Sequence, residues 1–109
     1  MRLDDARVAQ LRSRLEFAQA AAGGESTESL AARIARNPAD LEARLQLAKL
    51  LAAAQDHAGA MEQMLEVVRR DRGYGDDAGR RALLAVFDLL GPGHPLVAEY
   101  RRKLASALN

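Results

Sequence analysis

Hydrophobic residues recur at three- and four-residue steps along nearly the whole chain, which is the period of an amphipathic α-helix. No stretch shows the sustained alternation of polar and apolar residues that is typical of a strand. The sequence is also rich in Ala, Leu, Arg and Glu, which favour helices. The pattern therefore predicts an all-α fold of about six helices, at roughly 3–22, 27–36, 38–54, 57–71, 76–90 and 95–108.

Short polar breaks between the apolar runs predict where each helix begins and ends. Ser26 and Asp56 are good N-cap residues for the second and fourth helices. Asn37 is placed to cap the third helix, with Pro38 at its first helical position. Pro95 is placed to open the last helix after a glycine- and proline-rich break. Because the connections are short, neighbouring helices are expected to pack antiparallel.

The first helix carries an apolar stripe that is expected to be buried. Its members recur at helical spacing and are Val8, Leu11, Leu15, Ala18 and Ala22. If the stripe were exposed by the loss of a neighbouring part of the protein, it would favour self-association, so a homo-oligomer is also considered.

One segment carries a recognisable packing pattern. In a unit numbered from Leu41, large and small apolar residues occupy positions 7, 8, 11, 20, 24 and 27, which are Leu47, Ala48, Leu51, Ala60, Met64 and Val67. This pattern resembles the tetratricopeptide repeat. Small side chains at Ala48 and Ala60 would let two paired helices come close together. The sequence thus predicts a tetratricopeptide-like array in which 37–72 is the best-matched helix pair.

The length of 109 residues suits one helical domain. A lone repeat cannot bury both of its faces, so its neighbours are expected to act as caps. We therefore divide the domain into N-terminal capping helices at 1–36, the matched pair at 37–72 and a C-terminal helix pair at 73–109. The last two helices lack the small-residue pair.

A second resemblance covers most of the chain. It is carried by NPADLEAR at 37–44, by the stretch 67–72, by the helix RRALLAVFDLLG and by the closing PLVAEYRRKLASAL. Together these pieces resemble the C-terminal end of the YbbN/CnoX family, which are thioredoxin-like co-chaperones of bacteria. The resemblance implies a C-terminal fragment of a larger thioredoxin-like protein in the bacterial cytoplasm.

The resemblance also implies a function, which is non-catalytic binding of unfolded client proteins and of the chaperonin. Two alternatives stay open at this point. The chain would otherwise be the helical accessory domain of a thiol–disulfide oxidoreductase whose catalytic domain is absent here, or a generic tetratricopeptide scaffold. An upstream domain with a working Cys-x-x-Cys would favour the redox alternative.

The expected protein-binding face lies on the first helix of the matched pair, on the side that does not pack on the second helix. Its members are Glu42, Leu45, Gln46, Lys49 and Ala53. Leu45 would supply apolar contact, while Gln46 and Lys49 would contact peptide main chain or carboxylates. The alternative is a helix face that a neighbouring helix covers.

Composition argues against other kinds of site. The chain has no cysteine, which excludes disulfides, thiolate metal sites and thiol catalysis. A net charge of +1 and only two Tyr and two Phe do not favour a nucleic-acid surface. No apolar run approaches the roughly 18 residues that a membrane span needs. The basic runs at 69–72 and 101–103 are interpreted as solvated helix faces or helix-end charges.

The polar residues offer no recognisable reaction centre. His57 and His94 have no partners at metal-ligand spacing, and the serines lack a partnered histidine and acid. There is no glycine-rich phosphate loop. The sequence therefore predicts no catalytic residue, no cofactor, no metal site and no enzyme activity.

Overall fold

The computed structural model of the chain describes residues 7, 8, 10–15 and 24–109. Residues 7, 8 and 10–15 are helical and are called the N-terminal segment below. Five helices follow, with the bounds Thr27–Arg36 (α1), Leu41–Ala53 (α2), His57–Arg70 (α3), Tyr74–Leu90 (α4) and Pro95–Leu108 (α5). The described stretches contain no strand, so the predicted all-α, tetratricopeptide-like array is confirmed.

The predicted N-caps at Ser26 and Asp56 are confirmed. The Ser26 Oγ accepts a hydrogen bond from the Ser29 N–H at 3.1 Å. In the same way, Asp56 Oδ1 accepts from the Gly59 N–H at 3.0 Å. Pro95 occupies the first turn of α5, as predicted. These positions follow from local chemistry, because each cap satisfies an N–H that has no partner inside its own helix.

The predicted beginning of α2 is wrong by about three residues. The N-cap is Asp40, whose Oδ1 accepts from the Ala43 N–H at 3.1 Å. Asn37 instead lies at the end of α1, where its N–H donates to the carbonyl oxygen of Arg33 at 2.9 Å. Pro38 lies in the turn between the two helices. The Asp40 carboxylate also pairs with the Arg33 guanidinium at 3.2 Å, so one side chain both caps α2 and ties it to α1.

The beginning of α4 also differs from the prediction, which placed Asp76 and Asp77 in the first right-handed turn. Both have positive φ angles, as does Gly75, so three consecutive residues adopt the left-handed conformation. Aspartate tolerates this region better than most residues do. The Arg81 side chain spans the turn, donating to the carbonyl oxygens of Asp76 at 2.9 Å and of Gly75 at 3.1 Å. Regular helix therefore continues only after Asp77.

The N-terminal segment does not bury the stripe that the sequence predicts. Leu11 and Leu15 are 59% and 58% exposed, and Val8 is half-buried. The segment instead buries Ser13, which is 6% exposed. Hydrophobic periodicity predicts which residues share a face, but the neighbouring helices decide which face they cover. The other two positions of the stripe, Ala18 and Ala22, lie outside the described residues.

The main core is centred on α3, which packs against α2, α4 and α5. Ala48 of α2 and Ala60 of α3 are both fully buried in this one cluster, as the repeat pattern predicts. Met61 and Met64 are also fully buried there, between larger residues of α4 and α5. A smaller cluster between α1 and α2 contains Leu30, Ala43 and Leu47.

A further small residue, Gly79, lies at the contact between α3 and α4. A β-carbon at Gly79 would lie 3.0 Å from the Met64 carbonyl oxygen and 3.0 Å from Cγ1 of Val67. The absence of a side chain therefore lets the two helices approach closely at this point. The sequence pattern does not reveal this contact, because Gly79 falls outside the alanine positions of the matched repeat.

Candidate protein-interaction groove

An open groove lies between α2 and α4. Its middle part, called the central cavity, has a volume of about 170 Å³. The lining consists of two residues from α2 and four from α4: Leu45, Lys49, Ala78, Arg81, Ala82 and Ala85. Small side chains on α4 keep this space open, while Leu45 provides its largest apolar surface.

The predicted binding residues lie along this groove and beside it. Leu45 and Lys49 line the central cavity together, although Leu45 is largely buried, with 9% of its surface exposed. Lys49 is half-buried. Ala53, one turn further along α2, is exposed and lines a second cavity. The structure thus distributes three of the five predicted residues over two neighbouring cavities.

The other two predicted residues, Glu42 and Gln46, line neither cavity. The Gln46 Nε2 donates to Glu42 Oε1 at 3.4 Å. The same carboxylate oxygen lies 3.4 Å from the Arg33 guanidinium of α1. The Glu42 side chain remains 63% exposed, so these contacts are loose. Both residues therefore form a polar border on the α2 side of the groove.

The second cavity, called the end cavity, lies where α2 ends and α3 begins. Its volume is about 360 Å³. Residues from α2, from the turn after it, from α3, from α4 and from the N-terminal segment line it: Ala52, Ala53, Gln55, His57, Leu89, Leu90 and Arg14. Ala53 and Leu89 come after the central-cavity residues on their own helices, so the two cavities follow one another along α2 and α4 and are together called the groove.

The surroundings of His57 in the end cavity shift the pKa of its imidazole. Partial burial lowers the pKa of His57, and the positive charge of His94 lowers it further. Asp56 acts in the opposite direction but does not compensate. The imidazole is therefore favoured in its neutral form, which presents both a hydrogen-bond donor and an acceptor at the end cavity.

Sequence reasoning did not identify the α4 side of the groove or the contribution of Arg14. A signal for α4 was present, because Ala78, Ala82 and Ala85 recur at helical spacing and mark a face of small residues. No comparable signal existed for Arg14, since it reaches the groove only through the packing of the N-terminal segment.

Comparison with known proteins decides the family. The tetratricopeptide repeat family matches residues 19–109, which is most of the chain. The chain belongs to the tetratricopeptide repeat family. Repeats of this kind stack helix pairs and present extended concave surfaces, and they are typically non-catalytic interaction scaffolds. A fold of this kind therefore implies protein partners in general.

Individual relatives of this tetratricopeptide repeat chain come from mycobacteria. A protein of Mycobacterium tuberculosis and one of Mycobacterium bovis are each 35% identical to the chain over 69 residues. The match covers 63% of this chain but only 23% of each relative, and both relatives carry the name of uncharacterized proteins. No solved structure shows a significant match.

The basic runs of the tetratricopeptide repeat chain are engaged in local contacts. Arg70 pairs with Glu66 at 2.8 Å, and Arg72 donates to the Leu108 carbonyl oxygen at 3.0 Å. Arg101 lies over the Phe87 ring, with 5.8 Å between the guanidinium carbon and the ring centroid. Arg72 and Arg101 therefore connect different parts of the fold, whereas Arg70 pairs within α3.

The described part of the chain shows neither a cluster of metal-ligating residues nor a membrane-spanning helix. No group of three or more metal-ligating side chains occurs in residues 7, 8, 10–15 and 24–109. Within the same stretches, none of the helices is both long enough and apolar enough to span a bilayer.

Proposed function

We propose that this tetratricopeptide repeat chain is a non-catalytic protein-binding module whose partners bind in the groove between α2 and α4. The observation that carries the proposal is the placement of Leu45 and Lys49 in one open cavity opposite Ala82 and Ala85. An apolar floor beside a few polar groups is the usual composition of a peptide-binding groove.

The five residues of the predicted face take different roles in this proposal. Leu45 contributes the apolar surface at the bottom of the central cavity, and Ala53 leaves the end cavity accessible. Lys49 reaches main-chain carbonyl oxygens or carboxylates of the bound segment. Gln46 and Glu42 supply exchangeable hydrogen bonds at the border, because their mutual contact of 3.4 Å is weak.

We further propose that the module belongs to a thioredoxin-like co-chaperone of the bacterial cytoplasm. In this role it holds unfolded clients and passes them to the chaperonin, with 1–36 and 73–109 capping the central helix pair at 37–72. The support is the sequence resemblance over 37–109. The greater length of the mycobacterial relatives is compatible with a module inside a larger protein.

Direct binding measurements test the proposal. A permanently unfolded, fluorescently labelled polypeptide with no net charge is titrated with the chain and with two variants, Leu45→Ser and Lys49→Ala. We expect both variants to bind more weakly than the parent, whereas Ala105→Ser on the exposed side of α5 should bind like the parent. Circular dichroism verifies that each variant is folded. Equal affinity in all four proteins would contradict the proposed site.

A separate titration tests the hand-over role. The chain is immobilised and purified bacterial chaperonin is passed over it, with and without the unfolded polypeptide. We expect binding of the chaperonin in both cases. Client binding without any chaperonin binding would leave the protein-binding groove in place but contradict the co-chaperone role.

A further inference from the structure

Within the part of the chain that the structure describes, the charged side chains that line the two cavities are all basic. They are Lys49 and Arg81 in the central cavity and Arg14 in the end cavity, where His57 is favoured in its neutral form. No carboxylate of the described residues lines either cavity. This local excess of positive charge contrasts with the net charge of +1 for the whole chain.

The three cations of the groove lack carboxylate partners within the described residues. No ion pair forms at Arg14, Lys49 or Arg81 in that part of the chain. Elsewhere, Arg70 and Lys103 pair with glutamates of their own helices. Arg81 donates to two backbone carbonyl oxygens, which orient its side chain but do not neutralise its charge.

The carboxylates near the groove form contacts with other residues or lie outside the two cavities. Glu42 is shared between Arg33 and Gln46, and the Asp56 carboxylate caps α3. Asp77 and Asp88 of α4 flank the lining residues but line neither cavity. A bound segment that brings its own carboxylates would thus meet cations that form no ion pair with a carboxylate of the described residues.

The dimensions of the groove limit the length of the bound segment. From Leu45 to Ala53 the groove follows about two turns of α2, which is roughly 12 Å at 1.5 Å per residue. About four residues of extended peptide cover this distance, at about 3.3 Å each. Each cavity combines apolar and positively charged side chains, with Leu45 beside Lys49 and Arg81 in the central cavity and Leu89 and Leu90 beside Arg14 in the end cavity.

We propose that the groove binds a short acidic segment of a partner protein, an inference that rests on the proposed protein-binding function. Asp or Glu side chains of the segment pair with Lys49 and with Arg14 or Arg81. Small or apolar side chains between them pack against Leu45 and the α4 alanines. A single-stranded nucleic acid is disfavoured, because no aromatic side chain of the described residues lines either cavity, where a base could stack on it.

Fluorescence polarisation with synthetic peptides tests the inference. The probe is a labelled hexapeptide of alternating Glu and Leu, acetylated and amidated so that its charge resides on side chains. Matched peptides carry Gln or Lys in place of Glu, and an oligothymidine of similar length is the nucleic-acid control. We expect the Glu peptide to bind about tenfold more tightly than the Gln peptide, with affinity that falls between about 50 and about 300 mM NaCl. Equal binding of the Glu and Gln peptides, or tighter binding of the oligothymidine, would overturn the proposal.

Charge-reversal variants locate the site. Lys49→Glu and Arg14→Glu should each lower the affinity for the Glu peptide by about tenfold. Arg102→Glu changes the net charge equally but lies on an exposed position of α5 outside both cavities, so it should have little effect. Thermal melts verify that the variants fold. An equal loss of affinity in Arg102→Glu would overturn the proposal, because it would indicate that the Glu peptide is attracted by the overall charge of the protein and not by the groove.

The neutral unfolded polypeptide described above separates this inference from the proposed function. If that polypeptide binds in a Leu45-dependent manner while the Glu peptide does not compete with it, the acidic specificity is wrong and the binding groove stands. If neither ligand binds, the proposed function itself fails. If the Glu peptide competes with the polypeptide for the parent protein but not for Lys49→Glu, both the acidic specificity and the binding groove are supported.

Discussion

Gly79 of α4 lies so close to α3 that a β-carbon at this position would be 3.0 Å from the carbonyl oxygen of Met64. Replacing Gly79 by alanine should therefore destabilise the fold, although alanine favours helices. Overpacking costs about 2 kcal/mol and the gain in helix propensity is about 1 kcal/mol, so we expect a net loss of about 1 kcal/mol. Urea unfolding of Gly79→Ala and of the parent measures this difference in the free energy of unfolding.

The matched control for this prediction is Gly93→Ala. A β-carbon at Gly93 would meet no heavy atom within 4 Å. The stability of Gly93→Ala should therefore remain close to that of the parent. If Gly79→Ala were as stable as Gly93→Ala, the close contact between α3 and α4 would not be a feature of the folded protein.

Ala60 and Ala48 are fully buried in the main core, where α2 and α3 pack together. Ala60→Leu adds three heavy atoms to a site without free space, and overpacking of this kind costs about 1–3 kcal/mol. Ala105 on α5 is exposed, so Ala105→Leu should be close to neutral. The midpoint of thermal unfolding distinguishes the two variants, and an unchanged midpoint for Ala60→Leu would contradict the predicted packing.

The end of α2 is stabilised by a pair of backbone hydrogen bonds around a left-handed residue, Gln55. Its N–H donates to the Ala52 carbonyl oxygen at 3.0 Å, and the Asp56 N–H donates to that of Leu51 at 2.8 Å. Glycine adopts the left-handed conformation without the steric cost that glutamine bears at φ 69°. Gln55→Gly should therefore stabilise the protein by about 1 kcal/mol.

The neighbouring position provides the control for Gln55→Gly. Ala54 has a φ of −85°, which alanine adopts readily, so Ala54→Gly should bring no gain. Chemical unfolding of both variants measures the difference. A loss of stability in Gln55→Gly would indicate that its side chain contributes more than its backbone conformation costs.

The stability of the protein should decrease in mildly acidic solution. Partial burial, together with the charge of His94, lowers the pKa of His57 below its ordinary value of 6.5. The folded state therefore favours neutral His57, and this stabilising contribution is complete above pH 6.5 and is lost as the pH falls through the lowered pKa. Thermal midpoints at a series of pH values measure the effect.

A substitution isolates the contribution of this histidine. His57→Gln cannot be protonated, so its midpoint should depend less on pH between neutral and mildly acidic solution than that of the parent. Identical pH profiles for the two proteins would show that His57 does not titrate differently in the folded and unfolded states.

Features that depend on neighbouring residues along the chain were predictable from the sequence. Ser26 and Asp56 cap their helices as expected, since a cap needs only a polar side chain before an apolar run. The same rule failed near Pro38, where Asn37 and Asp40 were both suitable caps. The additional ion pair between Asp40 and Arg33 joins residues of two helices, and sequence spacing does not reveal it.

Features that depend on contacts between distant residues were less predictable. Periodicity placed Leu11 and Leu15 on one face but could not indicate that this face would remain exposed. Only the α2 side of the groove was predictable, because the other side depends on contacts between distant residues. The helical spacing of Leu45 and Lys49 assigned them to one side of α2, whereas the opposing residues of α4 and Arg14 come together only in the folded chain.

The most direct test of the account is a methyl NMR titration of the chain, labelled at Ala and Leu, with the neutral unfolded polypeptide. Binding in the groove predicts shifts for the methyl groups of Leu45, Ala82 and Ala85, which line the central cavity. The exposed Ala98 and Ala105 of α5 should stay unchanged. Shifts at Ala98 and Ala105 with constant signals from the groove would contradict the claim that partners bind between α2 and α4.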